Sequence, residues 1–179
     1  MRPRSWGRRM KRRIEERRKT MKSYCLIIFK PDALERQLVG PILKDFLDHG
    51  FTIEIADCKT VTRPLIFAHY EEVITRLGEA FKKRAAAYFT GKRMIPVIVS
   101  QAGDQAIPNA RKLVGKTDPS VAAPESIRGH YGRDSLAAAD AQGRIAENLI
   151  HCCDSQEAFD RETALWFDPA VFDPNGIEA

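Results

Sequence analysis

Long apolar runs are what this 179-residue chain most plainly lacks. No stretch approaches the roughly 20 apolar residues that a bilayer crossing takes, so no membrane partner is expected. Cysteine is scarce. Cys25, Cys58, Cys152 and Cys153 show neither the spacing of a zinc knuckle or redox CxxC motif nor the density of a disulfide framework. Cys25 and Cys58 lie in apolar segments, and buried, reduced thiols in a cytoplasmic protein are the expected state. Residues 1–20 have almost no apolar content and lack the h-region of a secretory signal. Serine is rare there, and Glu15 and Glu16 are present, which argues against an organelle transit peptide. Internal repeats are absent.

What is present is an ordinary globular composition, 44% hydrophobic, with charge distributed unevenly. The net charge is +5, yet residues 1–20 hold ten Lys/Arg and two Glu, a local +8, so the rest of the chain carries −3. A mildly acidic domain, 21–170, is thus expected between a basic tail, 1–20, and a short polar tail, 171–179. The length suits one domain with a full core. The basic tail has the charge to neutralise nucleic-acid phosphates, but Trp6 is its only aromatic, too few for a base-stacking platform. A solvated appendage, or a stretch ahead of a true start at Met21, is the stronger reading.

The apolar run Tyr24–Phe29 reads as a central buried strand. Gly40 and Pro41 open a helix with Ile42, Leu43, Phe46 and Leu47 on one side, and Gly50 ends it. Phe51 to Val61 alternates as a second strand. Helices are expected from Pro64 through Val73 and from about Gly78 to Tyr88. Met94–Ser100 reads as a third strand, with Pro96 pointing to an edge or to the strand's point of insertion in the sheet. A short helix over Ala106–Val114, a turn over Gly115–Pro119, a long excursion with an alanine-rich patch at Leu136–Ala141, a strand at Leu149–Ile150 and a helix capped by Ser155 complete the order. This is βαββαβ: a four-stranded, mostly antiparallel sheet with helices packed around it, ferredoxin-like and of the α/β (α+β) class.

Chemistry collects at strand ends. Lys30 follows the first strand, Arg111 and Thr117 flank the third strand's connection, Arg128 precedes Gly129, and His151 ends the last strand. Two guanidiniums, an ammonium and a hydroxyl suit an anionic phosphate. A histidine near a carboxylate, here Glu162, can serve as a nucleophile or base. Together these residues indicate phosphoryl transfer through a phosphohistidine.

The combination Phe29-Lys30-Pro31-Asp32, Val39-Gly40, His69-Tyr70, Arg111, Gly115-Lys116-Thr117-Asp118-Pro119, Ile127-Arg128-Gly129, Asn148-Leu149-Ile150-His151, Asp154-Ser155 and Glu162 resembles the nucleoside diphosphate kinase family from about Ser23 to Phe167. The resemblance implies a ping-pong transfer of a nucleoside triphosphate's γ-phosphate to His151 and then to a nucleoside diphosphate. It implies that Glu162 holds the other ring nitrogen, that Lys30, Tyr70, Arg111, Thr117 and Arg128 contact phosphates, and that Asn148 and Lys30 reach the ribose. Phe81 would stack on the base, with loose base selectivity, although its spacing with Leu77 and Tyr88 also suits plain core. Tyr70 joins His151, Glu162 and Lys30 in the catalytic group. Mg²⁺ would arrive on the nucleotide phosphates and have no protein cage. A homo-oligomer, tetramer or hexamer, is also implied.

Two departures from the family stand out. Cys152-Cys153 replaces the usual Gly-Ser after the histidine, and a thiol at Cys153 would hold Glu162 less firmly than a serine hydroxyl. The alternative this raises is a nucleotide-binding or regulatory module with weak or no transfer. The segment between Tyr131 and Asn148 is longer than usual, and is expected to form a short helix that alters the oligomer or covers the nucleotide site.

Overall fold

The structure, a computed structural model, describes residues 21–172. The tails at 1–20 and 173–179 lie outside the described residues, and with them the reading of a basic appendage.

Strand β1 (Lys22–Phe29) lies between β4 (Arg93–Ala102) and β5 (Ile150–Cys152), and β2 (Thr52–Ala56) closes the other side of β4. All pairings are antiparallel, and the order β2-β4-β1-β5 is the ferredoxin-like one. Cys25 through Phe29 are each fully buried, so both faces of β1 are covered. That explains why β1 reads as an unbroken apolar run while β2, half exposed, alternates. Each large apolar side chain sealed here contributes roughly 1.5–3 kcal/mol.

Helices α1 (Pro31–Glu35) and α2 (Val39–Asp48) link β1 to β2. Helices α3 (Arg63–His69) and α4 (Glu71–Phe89) precede β4. Helices α5 (Ala106–Val114), α6 (Ile127–Tyr131) and α7 (Leu136–Ala141) lead to β5, and α8 (Gln156–Trp166) follows it. Several starts are written in the sequence: the side chains of Thr62, Ser126, Ser135 and Ser155 each accept the backbone N–H three residues on. Gly78, at φ 75° and ψ −167°, breaks α4 at the position where the sequence places a helix start.

Four expectations need correction. The second strand does not run on to Val61: the chain leaves the sheet at Asp57–Cys58 and returns as the two-residue β3 (Lys59–Thr60) against β4. Cys58 sits in that break and is exposed, not buried. Pro96 lies in a central strand rather than at an edge, opposite Ile28 of β1. It is tolerated because its other side faces the break: its carbonyl accepts Asp57 N–H at 3.1 Å, just past the end of β2, where a missing donor interrupts no ladder. Packing also continues past residue 170, with Phe172 edge-on to Tyr24 and Phe159. No described helix is long and apolar enough to cross a membrane.

Candidate active site

The Lys30-Pro31-Asp32 segment builds the site by gripping the chain just ahead of β5. Lys30 N–H donates to the Leu149 carbonyl at 2.8 Å, and Leu149 N–H donates to Asp32 Oδ2 at 2.9 Å. Between them Leu149 takes φ +70°, and Ile150 N–H closes onto the Asn148 carbonyl at 2.8 Å, a γ-turn. Positive φ costs a branched residue on the order of 1–2 kcal/mol, which the two-sided grip offsets. The turn sets the phase of β5, so His151 pairs with Ile28 and points to the opposite face from Ile150 and Cys152.

His151 meets a carboxylate there. Its Nε2 lies 2.7 Å from Oε2 of Glu162, two turns into α8. Burial, then the Lys30 and Arg128 charges, lower the His151 pKa to about 3, so the ring is neutral at physiological pH. Burial raises Glu162 to about 6, leaving it mainly ionised at neutral pH. A carboxylate accepting Nε2–H selects the tautomer whose Nδ1 carries the lone pair. His69 stands edge-to-face against His151 with centroids 4.5 Å apart, and its own Nδ1 accepts Trp166 Nε1–H at 3.3 Å. Burial, then His151, push the His69 pKa well down, so this wall is neutral too. The ligand atoms of His69, His151 and Glu162 lie within 4.8 Å of one another, close enough to share a metal ion. Glu162 Oε2, however, accepts His151 Nε2–H and His69 Nδ1 accepts Trp166 Nε1–H, which leaves the His151 Nδ1 lone pair free, an arrangement that orients a nucleophile.

Cations line the other side. Lys30 Nζ donates to Asn148 Oδ1 at 2.7 Å and stands 6.0 and 5.9 Å from the centroids of the Tyr70 and Phe89 rings. Burial, then Arg128, lower its pKa to about 8. Arg128 is 92% buried and donates to the carbonyls of Asn148, Gly115 and Ile150 at 3.2, 3.0 and 2.6 Å. It therefore has a structural duty at the rim beside the phosphate contact expected of it. Gly129, the next residue, lets α6 pack against the preceding loop: a Cβ there would lie 2.0 Å from the Ala123 carbonyl oxygen. Asn148 Nδ2 donates to the Thr117 carbonyl at 2.8 Å, so its amide already ties Lys30 to the Gly115–Pro119 turn. Arg111 and Thr117 stand exposed beside that turn. Phe81 packs edge-on to Tyr70 at 5.6 Å and is half-buried.

All nine residues expected at the site line one cavity of about 540 Å³. That volume suits a nucleotide-sized ligand. The longer 132–147 segment reaches it as well: α7 presents Leu136, Ala139 and Asp140 to the cavity, and Asp140 bridges to Arg84 of α4 at 2.8 Å. Sequence reasoning assigned no role to His69 or Val114, which also line the cavity, or to Asp32, which anchors Leu149 beneath it; only the Lys-Pro-Asp and His-Tyr pairings signalled Asp32 and His69.

Cys153 does not face Glu162 as expected. Its sulfur accepts Leu26 N–H at 3.4 Å and touches Cys25, on the side of β5 away from Glu162. Cys152 keeps φ below zero and carries no backbone penalty.

Comparison with known proteins adds the identity. The family model described as nucleoside diphosphate kinase matches residues 23–172. The chain belongs to the nucleoside diphosphate kinase family. The enzyme of that name from Methanocaldococcus jannaschii is 35% identical over 154 residues, 86% of this chain and 99% of that one. The Pyrococcus furiosus enzyme is 37% identical over 144 residues, 80% and 82% of the two chains. Among solved structures, a transition-state mimic of the nucleoside-diphosphate kinase of Borrelia burgdorferi with bound vanadate and ADP superposes with TM-score 0.79 at 26% identity, covering 85% of this chain and 90% of that one. The NDP kinase of Pyrobaculum aerophilum superposes at 0.74, with 27% identity and coverage of 86% and 100%. This chain is thus a phosphotransferase of the nucleoside diphosphate kinase type.

Proposed function

We propose that His151 is the phosphoryl carrier. The neutral ring, fixed through Nε2 by Glu162, attacks the γ-phosphorus of a nucleoside triphosphate with Nδ1. The N–P bond forms as the bond to the bridging oxygen breaks, and the nucleoside diphosphate leaves. A second nucleoside diphosphate then takes the group back from His151. The observation that carries this reading is the 2.7 Å His151–Glu162 contact inside a cavity walled by Lys30, Arg111 and Arg128. As the phosphoryl group arrives the imidazole becomes cationic, and Glu162 stabilises that charge. Lys30, Arg111, Arg128, Thr117 and Tyr70 neutralise and align the phosphates, which is most of what phosphoryl transfer requires. Phe81 stacks on the base, Asn148 and Lys30 serve the ribose, and α7 borders the pocket beside Phe81.

The enzyme uses a divalent cation, Mg²⁺ in this reading. Of the four carboxylates lining the cavity, three are committed, Glu162 to His151, Asp140 to Arg84 and Glu72 to Arg161, and Asp154 alone is too few to cage a metal. That donor set fits a metal held by the nucleotide's own phosphates. Bound there, it would neutralise charge on the phosphate oxygens. We further place the protein in the cytoplasm, where its free thiols stay reduced, as a homo-oligomer of four or six chains.

Initial-rate kinetics test the carrier reading. Varying the donor at several fixed acceptor concentrations should give parallel double-reciprocal lines. Intersecting lines would mean direct transfer between two bound nucleotides, with no histidine carrier.

A further inference from the structure

Behind His151 lies a cluster of thiols with no part in the mechanism above. Cys25 Sγ is 3.6 Å from Cys152 Sγ and 3.4 Å from Cys153 Sγ. All three are free thiols, and no described disulfide ties them. They differ in access. Cys25 and Cys153 are fully sealed, whereas Cys152 is 7% exposed and belongs to the lining of the active-site cavity.

We propose that Cys152 and Cys25 form an oxidation site, in which a peroxide entering the empty nucleotide cavity converts the pair to a disulfide that disables transfer at His151. In the first step the Cys152 sulfur attacks the peroxide. An S–O bond forms, the O–O bond breaks, and water or an alcohol leaves, giving a sulfenic acid. In the second step the Cys25 sulfur attacks the Cys152 sulfur. The S–S bond forms, the S–O bond breaks, and the oxygen departs as water with the Cys25 proton. Two thiols are oxidised and one peroxide is reduced, with no further reagent.

The roles follow from position. Only Cys152 meets the cavity, so it takes the oxidant. Hydrogen bonds to Cys152 and Cys153, then burial, raise the Cys25 pKa well above its usual range. Cys25 is thus a poor first nucleophile but is already in contact with the sulfur it must attack. Cys153 is sealed, and its sulfur is occupied by Leu26 N–H.

The consequence for His151 follows from register. Ile27 faces Cys152 across the β1–β5 ladder, and Cys25 lies two residues before Ile27 on the same face, so the pair is diagonal. Diagonal partners stand about 7–8 Å apart at Cα, at or past the ~4.4–6.8 Å that disulfides usually span. Closing the bond therefore draws β5 along β1. His151 is the next residue, and its ring takes its direction from the 2.7 Å hydrogen bond to Glu162. A displacement of about 1 Å at a reacting group costs on the order of a hundredfold. Bound nucleotide should shield Cys152 by filling the cavity.

The full chain carrying Cys58→Ser, which removes the exposed thiol, is treated with hydrogen peroxide with and without ADP. Remaining thiols are then alkylated and the peptides mapped by mass. The expected result is a cross-linked peptide joining Cys25 to the Cys152–Cys153 segment, lost in Cys152→Ala and retained in Cys153→Ala. Transfer should fall by roughly tenfold to a hundredfold, recover with dithiothreitol, and be spared by ADP. Cys25→Ser, or Cys25→Ala should the serine variant misfold, should keep the untreated rate and give no cross-link. A map without this cross-link, a cross-link that survives Cys152→Ala, or a cross-linked enzyme with full activity would each overturn the proposal.

Discussion

At His151, desolvation and two neighbouring cations act in the same direction. The ring is kept from protonating, so its nucleophilic form is present across the working range and adds no limb to the pH profile near neutrality. The limbs should come from its neighbours. Lys30 is cationic below about pH 8 and loses its charge above it, so kcat/KM should decline on the alkaline side of pH 8. Glu162 becomes protonated below about pH 6 and can then no longer balance an imidazolium, so kcat/KM should also decline on the acid side. A profile of kcat/KM against pH checks both limbs, and a flat alkaline side to pH 10 would contradict the role of Lys30. For Glu162→Gln, an amide oxygen still accepts Nε2–H but brings no charge. A charge-assisted hydrogen bond contributes about 1.5–3 kcal/mol, so kcat should drop roughly ten- to a hundredfold, with much less effect on KM. Equal losses for Glu162→Gln and Glu162→Ala would mean that orientation contributes nothing.

Between β1 and β5 the decisive element is the γ-turn at Leu149. Asp32→Ala would leave Leu149 N–H buried without its acceptor, at a cost of about 1–3 kcal/mol, and would loosen the turn that phases His151. Denaturant midpoint and kcat should fall together in Asp32→Ala, while Asp32→Asn, which keeps an acceptor, should be milder. An unchanged kcat in Asp32→Ala would show that β5 needs no such anchor. This turn also marks where sequence reading stops. Apolar runs and Ser or Thr caps are local signals, and β1, α5, α7 and α8 were legible from them. The positive φ of Leu149 is imposed by contacts from residues 30 and 32, more than a hundred positions away. Pro96 misled for the same kind of reason: its place in β4 depends on where β2 breaks off, which local propensity does not encode. Cys153 was expected to face Glu162, but it lies just past the end of β5, where its N–H bonds the Leu26 carbonyl and its sulfur turns toward Cys25. The nine site residues were legible as a set because their chemical types recur in order. The grip of Arg128 on three carbonyls was not, since a guanidinium reads alike in either role.

Across the whole molecule, the sheet brings residues from 30 to 162 into one cavity, and α7 adds a flank bound to α4 through Asp140 and Arg84. Such a partly exposed pair contributes less than ~1 kcal/mol, so α7 holds its place through Leu136, Ala139 and their neighbours as much as through charge. The proposed homo-oligomer is open to a direct check by light scattering, with a mass of four or six chains expected and a monomer at micromolar concentration counting against it. The central claim concerns His151. The protein is incubated with γ-labelled ATP and Mg²⁺, separated from nucleotide, and the label is followed through acid, alkali and peptide mapping. We expect an acid-labile, alkali-stable phosphoprotein whose label maps to the His151 peptide, passes to added GDP, and is absent from a folded His151→Ala variant. Wild-type protein that takes up no label, or label that persists in His151→Ala, would contradict it.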